Sequence, residues 1–115
     1  MDGAVKQKSF SFAVRIVKLT KYLRENKKEQ VLSKQLLRCG TSIGANVAEA
    51  QQAQSRPDFI SKFNIALKEA AETDYWLCLL HETGYLSNQQ FSSIIFDCRE
   101  VEKILVSIVK SAKSN

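Results

Sequence analysis

Few groups in this 115-residue chain could support acid–base, nucleophilic or metal chemistry, because it contains a single histidine, His81. Di-iron sites in helical bundles combine Glu residues with Glu-x-x-His pairs. Glu49, Glu69 and Glu72 could supply carboxylates, but the residue three positions before His81 is Cys78, so no such pair exists. A Ser–His–acid or Cys–His site would depend on the same histidine. We therefore predict no enzyme activity, no metal site and no cofactor.

Residues 36–54 contain small residues at helical spacing. The run from Gly40 to Gly44 weakly resembles a phosphate-binding loop, but it lacks the Gly-Lys-Ser/Thr ending, and no strand precedes it. Gly40, Gly44 and Ala48 are four apart, so they lie nearly in line on one helix face. Each glycine costs a helix about 1 kcal/mol relative to alanine. We favour a packing role, in which this face lets another helix approach closely.

Polar residues surround this motif and recur on the following segment. Asn46 and Glu49 lie about one turn apart, and Lys68, Glu69 and Glu72 crowd a second helical segment. Opposite charges paired across a bundle would fix its register, whereas unpaired buried charges would be costly. The alternative is an ordinary solvated face. We predict that these five residues have structural or interface roles.

Basic residues are concentrated in the first third of the chain, although the net charge is only +5. Residues 1–38 hold ten Lys and Arg against three Asp and Glu, and the remaining residues hold seven against nine. Such a segment is compatible with a nucleic acid or an acidic partner, or with the solvent face of an amphipathic helix. No base-reading motif is visible, so any binding should be weakly sequence-specific. The candidate nucleic-acid-binding residues are Lys18, Lys21, Arg24, Lys28, Lys34 and Arg38.

The elements that would position these residues are four helices, predicted at about 9–26, 28–54, 56–83 and 88–112. Possible capping boxes start the second helix at 26–29, the third at 55–58 and the fourth at 87–90, and Gly84 suits the end of the third. The apolar spacing stays in phase through 40–42, so the second helix is predicted to be continuous. Short connections predict one domain over 1–115, an antiparallel up-down-up-down bundle.

Other features concern the environment of the chain. Cys39, Cys78 and Cys98 are far apart and lie on apolar stripes, which predicts reduced core thiols. No run approaches the ~18 apolar residues of a membrane span, and the N-terminus lacks a signal-peptide core, so we predict no membrane association and a cytoplasmic location. Apolar residues exceed what narrow core stripes need on the third and fourth helices, which predicts a homo-oligomer.

Two segments together resemble the four-helix-bundle proteins of the 23S rRNA intervening-sequence family. They are LLRCGTSIGANVAEA at 36–50 and FISKFNIALKEAAET at 59–73, within a resemblance over roughly residues 8–112. The usual Arg-Ser of the motif is Arg38-Cys39 here. The resemblance implies an antiparallel bundle, commonly assembled as a homopentameric barrel. It assigns no catalytic residue, and it places Arg38, Asn46, Glu49, Lys68, Glu69 and Glu72 on motif positions.

A related branch of that family adds an expectation about partners. The accessory variability determinant of diversity-generating retroelements binds nucleic acid and a reverse transcriptase through a basic surface. By this resemblance, the partners would be further copies of the chain, RNA or DNA, and a reverse transcriptase or another protein. We therefore expect a non-enzymatic oligomer that binds nucleic acid non-specifically. The alternative is a structural or protein-interaction oligomer that binds none.

Overall fold

The computed structural model describes the backbone of residues 2–114, and these residues form four helices and no strand. The helices are α1 (Asp2–Asn26), α2 (Val31–Ala50), α3 (Arg56–Glu82) and α4 (Asn88–Ser114). Each helix packs against two others, in the ring order α1, α2, α3, α4, and α1 also meets α4. The predicted all-α fold of four packed helices is confirmed.

Several predicted helix boundaries are wrong. α1 begins at Asp2 rather than at Ser9, because the apolar face continues to the fully buried Val5. α2 begins at Val31 rather than at 28 and ends at Ala50 rather than at 54. Its start is delayed because Lys28 takes a left-handed conformation, with φ 56°, that interrupts the helix. α4 continues to Ser114 rather than ending at 112, with the Ser114 hydroxyl bonded to carbonyls in its last turn.

The capping box predicted at 26–29 does not form, because Asn26 ends α1 instead of opening α2. The buried Glu29 carboxylate caps α2 by itself. Its oxygens accept hydrogen bonds from the backbone N–H groups of Val31, Leu32 and Ser33 at 3.2, 2.9 and 2.7 Å. A negative charge at a helix N-terminus also interacts favourably with the helix dipole. Glu29 therefore fixes the place where the chain re-enters a helix.

The other predicted helix signals are confirmed. Ser55 Oγ accepts a hydrogen bond from the Asp58 N–H at 3.2 Å at the start of α3. Ser87 and Gln90 form a reciprocal capping box, with N–H to side-chain distances of 3.1 and 2.8 Å. Gly84 follows α3 with φ 86°, a conformation that glycine adopts without strain. α2 is continuous through 40–42, as the apolar spacing predicted.

The core lies along the axis of the bundle and receives side chains from all four helices. Cys39 and Cys98 are fully buried in it, whereas Cys78 is half-buried, and all three thiols are free. Burial raises the pKa of the Cys39 and Cys98 thiols, so they remain protonated. The largest fully buried side chains include Phe12, Ile16, Leu23, Leu36, Ile43, Phe63, Leu77, Leu80 and Leu105.

Candidate functional site

The small residues of α2 lie where α1 crosses it. A Cβ atom on Gly40 would lie 2.8 Å from Ile16 Cγ2, and one on Gly44 would lie 3.3 Å from the Ser9 carbonyl oxygen. Both glycines therefore allow α1 to approach more closely than alanine would. Ala48 is placed differently, because it is exposed and lines a shallow groove beside Phe10. The predicted packing role thus holds for Gly40 and Gly44, which lie in the contact with α1, but not for Ala48, which lines a surface groove.

Arg38 connects α2 to α3 through two carboxylates. Its guanidinium donates to Glu69 Oε2 at 3.1 Å and to Glu72 Oε2 at 2.6 Å. Trp76 Nε1 donates to the same Glu72 oxygen at 3.0 Å. The hydrogen bonds from Arg38 and Trp76 lower the pKa of Glu72, which keeps this carboxylate ionised. Arg38 was predicted both as a phosphate ligand and as a motif residue, and its contacts are those of a structural ion pair.

The remaining polar residues of the motif form no shared network. Glu49 pairs with Lys62 at 2.9 Å, which ties the end of α2 to the start of α3. The Asn46 side chain donates to the Ser42 carbonyl of its own helix at 2.8 Å. Lys68 is exposed, and no ion pair involves it within residues 2–114. The structure therefore separates these residues into one cross-helix pair, one local bond and one solvated lysine.

Five of the six predicted basic residues are gathered at one end of the bundle, here called the basic end: Lys18, Lys21, Arg24, Lys28 and Lys34. Along the described chain, none of the five makes a salt bridge, whereas Arg38 does, and so does Arg15, which pairs with Asp97 of α4. All five are exposed except the half-buried Arg24. Their charge is therefore available to an external anion.

The geometry of the basic end favours side-chain contacts over backbone ones. Lys18, Lys21 and Arg24 follow α1 toward its C-terminus, Lys28 lies in the α1–α2 turn, and Lys34 lies early in α2. The N-terminus of α2, which could otherwise donate backbone N–H groups to a phosphate, is already occupied by the Glu29 carboxylate. Anion binding at this end would therefore depend on flexible cationic side chains.

Sequence reasoning missed an exposed apolar strip on α1, formed by Phe10, Val14 and Val17. These side chains are 70%, 39% and 49% exposed, respectively. Their spacing of four and three places them on one helix face, which could have been recognised beside the core stripe of Phe12 and Ile16. The predicted surplus on α3 and α4 is partly exposed too, with Tyr75 at 60% and Val106 at 37%. Aromatic and aliphatic side chains are thus exposed on more than one side.

A cluster of Asp74, Cys98 and Glu102 between α3 and α4 was also missed, because its members belong to two helices. One potential ligand atom from each lies within 4.8 Å of the others. Burial raises the pKa of Glu102 to about 7, and its hydrogen bond to Asp74 adds to the increase. Burial also opposes ionisation of Asp74, but hydrogen bonds from Arg99, Glu102 and Cys78 lower its pKa overall. Below about pH 7, the two carboxyl groups therefore hold one proton, mainly on Glu102.

That arrangement limits what the cluster can do. Arg99 Nε lies 3.0 Å from Asp74 Oδ2, so the carboxylate that would bind a cation is already paired. The single histidine is likewise engaged: His81 Nε2 lies 2.6 Å from Asn88 Oδ1, and its ring stacks on Phe91 with centroids 4.2 Å apart. These groups hold α3 and α4 together.

A comparison with models of known protein families shows the family of the chain. The model for the 23S rRNA-intervening sequence protein family matches residues 1–107. The chain belongs to this family. It is also similar to a protein of unknown function from the S23 ribosomal protein family of Bacteroides thetaiotaomicron, whose crystal structure is known. The two are 60% identical over 95% of this chain and 97% of the other, with a TM-score of 0.93.

A comparison with curated proteins finds no match. Among the described residues of this 23S rRNA-intervening sequence family member, no helix is long and apolar enough to cross a bilayer.

Proposed function

We propose that this protein is a non-enzymatic, cytoplasmic homo-oligomer of antiparallel four-helix bundles, a pentamer by its family resemblance. We further propose that it binds RNA or DNA non-specifically. The antiparallel arrangement is supported by paired contacts. Gly40 meets Ile16 and Gly44 meets Ser9, so numbering rises along α2 as it falls along α1. Cross-helix ion pairs between α2 and α3 follow the same rule.

The observation that carries nucleic-acid binding is the absence of salt bridges from the five cations of the basic end, within the part of the chain that is described. A cation that is paired with a carboxylate of the same chain must break that ion pair before it can bind a phosphate. The five cations of the basic end have no ion pair to break. Duplex nucleic acid presents one charge per ~1.7 Å, which favours binding to such a group of cations. Arg38 is excluded from this surface by its pairing with Glu69 and Glu72.

Binding should be measured by fluorescence anisotropy with labelled RNA and DNA duplexes, each at several salt concentrations. If all five cations contact phosphates, the slope of log K against log salt is about −4.5, and raising salt from about 50 to 200 mM weakens binding by about 500-fold. Reversing two charges, as in Lys18→Glu with Lys28→Glu, should reduce that slope to about −2.7. No binding at low salt would contradict the proposal.

A matched control is available on the other half of the bundle. Lys68 and Lys110 are exposed, and Lys68→Glu with Lys110→Glu changes the net charge equally while leaving the basic end intact. If this control weakens binding as much as the Lys18/Lys28 variant, the net charge of the chain is responsible and the basic end is not the site.

The second candidate function is a structural or protein-interaction oligomer that binds no nucleic acid. The α1 strip favours it, because Phe10, Val14 and Val17 expose apolar surface beside the same cations. Exposed apolar side chains rimmed by charge are typical of protein contacts. In that case, the Lys18/Lys28 variant and its control would both leave assembly intact, and neither they nor the wild type would bind nucleic acid.

A further inference from the structure

A cleft separates α1 from α4 beside the basic end. These two helices are the least closely packed neighbours in the ring. The cleft has a volume of about 590 Å³ and is lined by side chains of α1 between Arg15 and Tyr22 and of α4 between Gln89 and Ile94. Lys18 belongs both to this lining and to the basic end. The cleft is therefore continuous with the surface proposed above to bind phosphates.

The cleft contains an aromatic ring that the core holds in place. Tyr22 is half-buried and packs against the core, and it also lines the cleft. Leu19 does the same from one turn earlier, and the buried Ile94 lines the cleft from α4. Unpaired bases bind proteins largely by stacking on aromatic side chains. A ring that is already fixed loses little freedom when a base stacks on it, so this lining suits a planar heterocycle.

A polar group of the cleft is also fixed in advance. Gln90 Oε1 accepts a hydrogen bond from the Ser87 N–H at 2.8 Å, as part of the capping box of α4. This bond orients the amide, and within residues 2–114 its N–H2 group donates to no other residue. Every base carries a ring-nitrogen or carbonyl acceptor, so this donor can bind any of them. The cleft therefore offers a base a stacking surface and a hydrogen bond with little discrimination by sequence.

Charge favours an anionic ligand in this cleft. Among the described residues that line it, none is acidic. Arg15 is engaged by Asp97 and by Ser93 Oγ at 2.9 Å, whereas Lys18 is exposed and forms no salt bridge with the described residues. Lys18 and Tyr22 are one turn apart on α1, about 6 Å of rise. A nucleotide whose phosphate contacts Lys18 can therefore place its base at Tyr22.

These groups favour an unpaired nucleotide over other ligands. A base inside a duplex is paired and stacked on its neighbours, so it cannot enter the cleft without leaving the helix. An acidic peptide would use the cation, but a carboxylate gains nothing from an aromatic face, which carries the negative part of the ring quadrupole. An unpaired nucleotide uses the cation, the ring and the amide together.

We propose that the α1–α4 cleft binds an unpaired base of a single strand, stacked on Tyr22, while phosphates of the same strand contact Lys18 and the rest of the basic end. This inference rests on the nucleic-acid binding of the proposed function, and it adds a base contact that an intact duplex does not make. Because stacking accepts every base, binding remains non-specific in sequence.

Two strands of equal charge test the base contact in the wild-type chain. One is a labelled oligothymidylate of about ten nucleotides, a usual length for single-strand sites, and the other is an abasic strand with the same number of phosphates. In fluorescence anisotropy, the oligothymidylate should bind about 5- to 150-fold more tightly, as expected for one stacked base. Both strands should show the same slope of log K against log salt, because they place the same phosphates on the same cations.

Substitutions of Tyr22 test whether that difference arises in the cleft. Tyr22→Leu keeps an apolar side chain against the core but removes the ring, so this variant should bind the oligothymidylate no more tightly than the abasic strand. Tyr22→Phe keeps the ring and should behave as the wild type does. The control is Tyr75→Leu, the same change at an exposed position on α3, which does not pack against α1. Circular dichroism should show unchanged helix content in all three variants.

A second variant keeps the test available if Tyr22→Leu unfolds. Gln90→Glu retains an acceptor for the Ser87 N–H but loses the N–H2 donor. Its added charge acts on both strands alike, so a smaller ratio of their affinities reports the lost base contact alone. Free thymidine monophosphate should compete far more weakly than the strand, because it lacks the neighbouring phosphates. Equal competition would overturn the strand as the ligand.

The outcomes separate this inference from the proposed function. If the wild type binds neither strand at low salt, the proposed nucleic-acid binding fails, and the base contact fails with it. If the wild type binds both strands equally, the basic end binds phosphates but the cleft binds no base. A difference that survives Tyr22→Leu, or Gln90→Glu in its place, means that the base is bound elsewhere. If Tyr22→Leu instead lowers the oligomer mass in light scattering, the cleft is a contact between copies and not a base site.

Discussion

Replacing Gly40 with alanine should destabilise the protein, even though alanine is the better helix former. The added Cβ would lie 2.8 and 2.9 Å from the two Cγ atoms of Ile16, which is fully buried and has little room to move. Overpacking costs about 1–3 kcal/mol, and two contacts under 3.0 Å place this case in the upper part of that range, about 2–3 kcal/mol. The gain in helix propensity is about 1 kcal/mol. We expect Gly40→Ala to lower the free energy of unfolding by about 1–2 kcal/mol.

The same substitution should become favourable when the obstructing atoms are removed. Ile16→Ala alone creates a cavity and should cost about 2–5 kcal/mol. In that background, both Cγ atoms are absent, and the Cβ of residue 16 lies 3.3 Å from the new methyl group. Gly40→Ala should then raise stability by about 1 kcal/mol, so the double-mutant cycle should give a coupling of about 2–3 kcal/mol.

The measurement is urea unfolding at one fixed protein concentration, followed by the fluorescence of Trp76, the single tryptophan, and by circular dichroism. Gly44→Ala is the control, because its Cβ would lie 3.3 Å from the Ser9 carbonyl oxygen and 3.4 Å from the carbonyl carbon, so strain should nearly cancel the gain in propensity. A Gly40→Ala protein as stable as the wild type, or a cycle without coupling, would refute the proposed close contact.

Three further predictions concern other positions. Glu29→Ala removes the acceptor of three backbone N–H groups at the start of α2, so urea unfolding should show a loss of about 2 kcal/mol, and Glu29→Gln a smaller one. Lys28→Gly should raise the free energy of unfolding by about 0.5–1 kcal/mol because φ is 56°, and a loss would mean that the turn is not left-handed. The folded pKa of Glu102 is raised to about 7, so its contribution to stability is present below its ordinary pKa of about 4.3 and is lost as pH rises through about 7. The resulting loss in the free energy of unfolding is at most about 3.5 kcal/mol, and solvent screening reduces it to about 1–2 kcal/mol. Glu102→Gln should abolish this decline in the free energy of unfolding between pH 5 and 8. Equal pH profiles for variant and wild type would contradict the proton shared with Asp74.

Local features of the sequence were sufficient for the number of helices, for the end of α1, for the start of α4 and, to within one residue, for both ends of α3. Ser55, Ser87 and Gly84 act through neighbours within a few residues, so their effects can be recognised without knowing the fold. The start of α2 could not be predicted in this way. The pattern at 26–29 fits a capping box, and the left-handed turn at Lys28 that overrides it is visible only in the backbone.

The candidate site depended more strongly on contacts between helices. The basic character of the first third was evident from composition, but which cations are free was not. Arg38 and Lys34 are four apart on one helix, yet only Arg38 reaches Glu69 and Glu72, because α3 passes beside it. The Asp74–Glu102 pair was invisible for the same reason, since its members meet only when α3 and α4 pack together.

By itself, the sequence determined an all-α chain, its family, and a first third rich in positive charge, because periodicity, motif and composition are properties of short segments or simple sums. The tertiary structure decided which charges are paired, which glycines lie in a helix contact, and which apolar residues are exposed. Each of these depends on the neighbour that a side chain meets across the bundle, and that neighbour is set by how all four helices pack together.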